Sequence, residues 1–478
     1  MHTNQISNII KKYFSFNPTE DQKLLIEKLS EFLNSIEKDK AFIIKGYAGT
    51  GKTSIVSALI NSLPYLKKKA ALLAPTGRAA KVLTEYTGIR AFTIHKRIYF
   101  VQTTTDGYTL LTLQQNKFKN TIFIVDEASM IPDSSGNKES SLFSGRSLLE
   151  DLIYYVNDGY NCNLILIGDT AQLPPVGSEI SPALNINYIK TAYRLNPDEF
   201  ELKQVVRQAI ESGILTNATK LRHKLNNEDF NPPFFNLNNF TDIVSINGNE
   251  LEEILNTTYS QYDRENIVII CRSNKRANLF NQEVRKRVLY QDNEISTSDF
   301  MMIVKNNYYW LPEDSETGFI ANGDIVEILK IKKTEEIYGF RFADVSIRLI
   351  DFPDEKELEV KILLDTLDAE TPSLDYNEYK RLWAEIMKDY EDLNTIRERY
   401  QKVKNSPYLN ALQVKFAYSL TCHKTQGGQW DIVFIDQGYI TEEMINTEFV
   451  RWLYTATTRA IKKLYLINFS DFFFEKNQ

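Results

Sequence analysis

The chain has 478 residues, 43% of them hydrophobic and 25% charged, with a net charge of −7. At ~150 residues per domain this length suggests roughly three domains, and the composition excludes a disordered, collagenous or membrane-embedded chain. Three cysteines, Cys162, Cys271 and Cys422, are too few and too far apart for a disulfide framework, a zinc site or a cysteine-ligated cluster.

No run reaches the ~18 apolar residues that span a bilayer, and the N-terminal residues lack the basic-then-apolar pattern of a signal peptide, so a cytoplasmic protein without a membrane partner is expected. Averaged charge counts against a polyanionic partner, but its distribution is uneven. Between Lys67 and Lys119 ten Lys/Arg stand against two acids, and between Arg272 and Arg287 six stand against Glu283 alone. Each tract reads either as a solvated face or as a phosphate-contacting surface.

In chain order, Asn17-Pro18-Thr19-Glu20 resembles a helix start with Asn17 as N-cap and Pro18 in the first turn, and an amphipathic helix follows over residues 21–33. An apolar run at 41–45 then leads into Gly46-Tyr47-Ala48-Gly49-Thr50-Gly51-Lys52-Thr53, which fits G-x-x-x-x-G-K-[ST] between a strand and the helix 54–63 that Ser54 opens. Glycines let backbone N–H groups turn inward on phosphate oxygens at a helix N-terminus. Lys52 reaches the β- and γ-phosphates in such loops, and Thr53 takes Mg²⁺.

Further apolar runs at 70–74, 121–125 and 164–167 read as central strands of a parallel sheet covered by helices. Residues 97–103 and 108–113 alternate about Asp106-Gly107 and predict a β-hairpin, whereas 134–147, rich in Ser and Gly, predicts a mobile loop. The strand 121–125 ends in Asp126-Glu127. There one carboxylate can hold the Mg²⁺ shell and the next can orient and deprotonate the attacking water. The strand 164–167 ends in Gly168-Asp169-Thr170-Ala171-Gln172, placing Gln172 to sense a phosphate or simply to close a Pro-terminated turn.

Runs at 267–270, 432–435 and 464–467 imply a second α/β domain, interrupted from about 286 to 412. The first part of the interruption holds short β-like runs at 301–304, 325–329 and 345–349 with turn signals such as Asn322-Gly323-Asp324, which suggests a small barrel. Residues 376–404 lack Gly and Pro and carry apolar residues at helical spacing, so a helix or helical hairpin with core-facing aromatics is expected.

Taken together these segments resemble superfamily 1 DNA helicases of the RecD/Dda-like branch. Gln22 resembles their adenine-reading glutamine. Ala74-Pro75-Thr76-Gly77-Arg78-Ala79-Ala80-Lys81 matches a DNA-contacting motif, and Thr93-Ile94-His95-Lys96 the next. Leu202 to Gln208 resembles the fourth motif, with Arg207 as a γ-phosphate contact. Tyr418 to Gly427 resembles the fifth, with Thr421, His423 and Lys424 toward DNA and Gln426 and Gly427 toward nucleotide. Tyr454 to Ala460 resembles the sixth, and its Arg459 is the implied arginine finger, supplied from the second α/β domain.

The resemblance implies an α/β architecture of two RecA-like P-loop domains. The first spans residues 1–205 with a strand-separating hairpin at 97–118, and the second spans 206–285 and 412–478, with an SH3-like β-barrel and helical extension inserted at 286–411. It also implies ATP and Mg²⁺ as cofactors, single-stranded and tailed duplex DNA as partners, and 5′→3′ translocation. Pro75, Thr76, Arg78, His95, Lys96, His423 and Lys424 become DNA contacts, and Tyr99 and Phe100 are candidates either to stack on bases or to pack. Lys52, Glu127, Gln172, Arg207 and Arg459 carry the chemistry. Replication or recombination factors are conceivable partners, and RNA stays open as a substrate. The rivals are a loading factor that uses ATP as a switch and a nuclease subunit; a small-molecule P-loop kinase would leave the His-Lys-Thr-Gln-Gly segment unexplained.

Overall fold

The computed structural model describes residues 2–35, 37, 39–103, 109–133, 146–206, 211–229, 231–311, 319–352, 355–369, 371 and 373–474. Two compact units emerge, one comprising Met1–Tyr99, Leu113–Ile246 and Thr425–Gln478, the other Phe100–Thr112 and Asn247–Lys424. No described helix is long and apolar enough to cross a membrane.

The first unit is built on six parallel strands in the spatial order Phe92–Thr93, Lys69–Ala74, Thr121–Val125, Asn163–Gly168, Lys40–Gly46 and Asn196–Leu202. The central ones are β-branched and apolar on both faces because helices cover the sheet. Glu20–Asn34, Lys52–Ser62 and Gly77–Thr87 bury Leu25, Leu59, Ala80 and Leu83 with Phe42, Ile44, Ile124 and Ile165 in one core. Parallel order brings the strands' carboxyl ends to one side, where open α/β sheets place their ligands. The same unit holds the parallel strands Ile243–Ile246, Ala460–Ile467 and Trp430–Asp436, and the helices Gly213–Asn226 and Thr447–Thr457 pack on each other.

One local expectation needs correction, and two elements had not been read from the sequence. The second helix is capped by Thr19, not Asn17: the Thr19 hydroxyl accepts the Gln22 N–H at 3.3 Å, and Gln22 Oε1 accepts the Thr19 N–H at 2.9 Å. The reciprocal pair satisfies two orphan amide donors, which Asn17 would not. The helix Thr3–Lys12 was not expected, and it buries Ile6 and Ile10 against the main core. The strand Asn196–Leu202 was hidden by its polar residues. It lies at the sheet's edge on Lys40–Gly46, where Pro197 is tolerated.

The second unit contains the parallel pair Ile267–Cys271 and Ser419–Thr421 and the helix Asn274–Glu283, continued by a π turn at Val284–Val288. Its barrel closes through Phe300–Ile303, Ile325–Ile337, Phe340–Leu349, Leu358–Leu363 and Leu412–Phe416. The last strand lies in a segment that the sequence reading assigns to the second α/β domain. Tyr376–Lys388 and Ile396–Lys404 form the helical hairpin, and Leu382, Ile386 and Val403 pack on Phe340 and Phe342 of the barrel. Of the aromatics there, Trp383 and Tyr390 are half-buried against that core, whereas Tyr376 and Tyr400 are exposed, Tyr400 lying 5.6 Å from Trp383, so the expectation of core-facing aromatics holds only in part. The two strands Tyr99–Thr103 and Thr109–Leu113 pair as a hairpin. Arg97 belongs instead to the preceding helix Ile94–Ile98, and the turn at 104–108 lies outside the described residues.

Candidate active site

The strand Lys40–Gly46 turns through Gly49 (φ 75°) and Gly51 (φ 81°) before the helix begins at Lys52. Positive φ favours glycine, and at Gly51 space decides as well: a Cβ would meet Gln22 Nε2 at 2.4 Å. Gln22 is buried and its amide nitrogen donates to Thr50 O at 3.0 Å, so it fastens the second helix to the phosphate loop. Lys52 Nζ donates to Gly46 O at 2.5 Å and Tyr47 O at 3.0 Å, and the Thr50 hydroxyl to Tyr47 O at 2.8 Å. Thr53 is exposed in the first turn, followed by the half-buried Ser54.

Asp126 follows its strand directly. Its Oδ1 accepts the Glu127 N–H at 2.9 Å and its Oδ2 the Tyr86 hydroxyl at 2.6 Å. Glu127 adopts a left-handed backbone, φ 50°, uncommon for a residue with a Cβ and of the kind that functional sites retain. Burial raises the Glu127 carboxyl above the ordinary range; Arg459 and Lys52 pull it down, while Asp126 and Asp169 add to the rise. A carboxylate with a raised pKa is a better general base near neutrality.

The segment Gly168 to Leu173 is held from two sides. Asp169 is buried; its Oδ1 accepts the Ala171 N–H at 2.9 Å and its Oδ2 the Tyr454 hydroxyl at 2.6 Å. That hydroxyl also accepts the Ala48 N–H at 3.0 Å, linking the phosphate loop to Asp169. The Leu173 N–H donates to Thr455 Oγ1 at 2.9 Å, and Leu173 O accepts Gln426 Nε2 at 2.7 Å. Gln172 lies in the same turn, buried, its Oε1 without a partner. Arg459 is 3% exposed and donates to Thr455 O at 3.0 Å, Gly428 O at 3.1 Å and Thr458 Oγ1 at 3.2 Å. It lies in the same compact unit as the phosphate loop.

Among the described residues no group of three His, Cys, Asp or Glu could hold a metal. Of the oxygens at hand, the Thr53 hydroxyl and the Asp126 carboxylate are the two that the motifs assign to a cation, with the Glu127 carboxylate next to Asp126. That hard oxygen set fits Mg²⁺ when phosphates and waters supply the remaining ligands. Arg207 lies outside the described residues, as do residues 134–145 of the Ser/Gly-rich loop.

The nucleic-acid candidates fall in both units. In the first, Pro75 is half-buried and the Thr76 hydroxyl accepts the Ala79 N–H at 3.2 Å, capping the helix Gly77–Thr87. Arg78 donates to Gln429 O at 3.4 Å and stacks 4.9 Å from the Trp430 ring, while Gly427, at φ 74°, would place a Cβ 2.7 Å from Ala79 Cβ. The motif around residue 427 thus closes tightly on the helix that carries Arg78. Burial pushes His95 down to about 4, so it is neutral at physiological pH, and Lys96 lies beside it on Ile94–Ile98. Tyr99 is buried and donates its hydroxyl to Asp151 at 2.7 Å, which makes it an anchor at the hairpin's base. Phe100, in the second unit, is 43% exposed. There too Thr421 ends its strand half-buried, His423 is exposed, and Lys424 donates to Asn322 Oδ1 in a barrel turn at 2.7 Å.

A family model described as an AAA domain matches residues 30–178, and one described as the UvrD-like helicase C-terminal domain matches residues 416–467. The chain is 23% identical to the ATP-dependent DNA helicase dda of Enterobacteria phage T4, over 84% of this chain and 88% of that protein. It is 29% identical to the ATP-dependent RecD2 DNA helicase of Deinococcus radiodurans, over 43% of this chain and 25% of that one. In these matched segments and relatives the chain is similar to superfamily 1 helicases of the RecD/Dda-like branch. A structure of Pif1 helicase from Bacteroides in complex with ADP-AlF3 and ssDNA aligns over 97% of this chain and 95% of its own, at 13% identity and a TM-score of 0.47.

Sequence reasoning missed three residues that build the site. Tyr454 and Asp169 stood inside quoted motifs without a role; their place in two motifs that both serve the nucleotide was the available signal. Tyr86 gave none, because it continues the spacing of Ala79 and Leu83 along the buried face of its helix and reads as packing.

Proposed function

We propose that the protein is an ATP-dependent DNA helicase that translocates 5′→3′ on single-stranded DNA and unwinds duplex ahead of it. The observation that carries this reading is the placement of Arg459 in electrostatic reach of Glu127, beside Lys52 and Asp126, at the carboxyl end of one parallel sheet. Phosphoryl transfer needs positioning and charge neutralisation more than covalent chemistry. Lys52 and the loop amides would hold the phosphates, and Thr53 and Asp126 would hold Mg²⁺, which supplies charge neutralisation on the phosphate oxygens. Glu127 orients the attacking water and takes its proton, while Arg459, with Arg207, meets the charge that develops on the γ-phosphate. Gln172, in a turn fastened to Thr455 and Gln426, reports phosphate occupancy to the motifs that follow. DNA is gripped by Thr76, Arg78, His95, His423 and Lys424, and the hairpin beginning at Tyr99 serves as the strand-separating pin, with Phe100 at its exposed edge. The names of the relatives, both DNA helicases, support the substrate, and the family resemblance supports the polarity.

The test is ATP-dependent strand separation on two matched duplexes, one with a 5′ single-stranded tail and one with a 3′ tail. Unwinding of the 5′-tailed duplex alone is expected. Unwinding of the 3′-tailed duplex alone would reverse the polarity; separation of neither, with ATPase still stimulated by single strands, would reject the helicase reading in favour of an ATP-driven switch.

A further inference from the structure

Tyr86 stands at the far end of the helix Gly77–Thr87 from its cap, Thr76. Its ring is half-buried against the main core, a role that phenylalanine would fill equally well. Its hydroxyl does something packing does not require: it donates to Asp126 Oδ2 at 2.6 Å, while the Glu127 N–H occupies Oδ1 at 2.9 Å. Both carboxylate oxygens are therefore pinned, each retaining a lone pair, and the rotamer of Asp126 is fixed from a helix whose first turn holds Thr76 and Arg78. A helix of eleven residues is a stiff rod of about 16 Å, so displacement at its DNA-facing start would move the hydroxyl that holds Asp126. We propose that Tyr86 is a positioning residue of the nucleotide site, orienting the Mg²⁺-facing carboxylate and coupling it to the helix that carries the DNA contacts. This rests on the ATPase reading above.

The test is Tyr86→Phe in the full chain, read first by equilibrium binding of methylanthraniloyl-ATP across a Mg²⁺ titration. Outer partners of metal ligands are worth roughly 10–100-fold in metal affinity. The half-saturating Mg²⁺ should accordingly rise by about tenfold, with binding in EDTA unchanged. The second readout is the stimulation of ATP turnover by single-stranded DNA, which should fall while nucleotide-free DNA affinity holds. Leu83→Ala, which loosens the same packed face but keeps the hydroxyl, should leave the Mg²⁺ midpoint in place; an equal shift there would overturn the proposal by assigning the effect to packing. Mg²⁺-dependent binding in the wild type with an unaltered Tyr86→Phe midpoint overturns the inference alone. Wild-type binding indifferent to Mg²⁺ overturns the underlying nucleotide-site reading as well.

Discussion

In the barrel, Lys361 sits 2.8 Å from Glu335 and 2.7 Å from Asp344, with its ammonium 4.5 Å from the Tyr408 ring. Glu335 also receives Lys333 at 2.6 Å, and these lysine hydrogen bonds hold its carboxyl down at about 2. Around the phosphate loop the pattern is reversed. The bonds of buried Arg459 all end on neutral oxygens, and those of buried Asp169 all come from neutral donors. A charge satisfied by an opposite charge has little left to offer a ligand. One held by dipoles stays available, because hydrogen bonds fix its position without cancelling its field. The barrel spends its charges on stability, and the nucleotide site keeps them for reaction.

Variants at four positions test that contrast, in descending order of expected effect on turnover. Arg459→Ala should lower DNA-stimulated ATP turnover by about 10³-fold, the scale of an arginine finger, with DNA affinity largely kept in a binding titration. Arg459→Lys should not restore the rate, since a point charge lacks the planar fork. Loss of DNA affinity along with turnover would assign Arg459 to the scaffold, ending the contrast.

Glu127→Gln should retain ATP binding and lose about 10²-fold or more in hydrolysis, as expected for a missing general base. In the proposed mechanism Glu127 works deprotonated as the base, and burial raises its pKa. The rate should therefore fall as pH drops through a value above the ordinary glutamate range, and the residual rate of Glu127→Gln should lack that acid limb.

Tyr454→Phe strips the shared partner from the Ala48 N–H and Asp169 Oδ2. A buried group left unsatisfied costs about 1–3 kcal/mol, visible as a lower Tm. If part of that falls on the transition state, turnover drops roughly tenfold. An unchanged rate with a lowered Tm would make the tyrosine purely structural.

Glu335→Gln should leave turnover untouched and act only on stability. The depressed pKa of Glu335 means that its contribution is fully present above the unfolded-state value of ~4.3 and is lost as pH falls from there toward 2. The wild-type Tm should thus decline over that window, and the variant's Tm should decline less. A change in ATP turnover at neutral pH would blur the line between the two regions.

The sequence by itself determined the phosphate loop, the strands 41–45 and 121–125 that deliver Lys52 and Asp126-Glu127, and the barrel and helical hairpin in outline. Each is a local pattern: a glycine spacing, a run apolar on both faces, a helical period. Only the tertiary structure decided which partners these groups meet. Tyr86 finds Asp126 across 40 residues and Tyr454 finds Asp169 across 285. Tyr99 and Phe100 were legible only as a pair, because alternation along a strand says that one faces in and the other out without saying which. The edge strand Asn196–Leu202 and the cap at Thr19 were likewise settled by pairing. Periodicity is written along the chain, but hydrogen-bond partners across it are chosen by strand order and register, which the sequence encodes only through the fold.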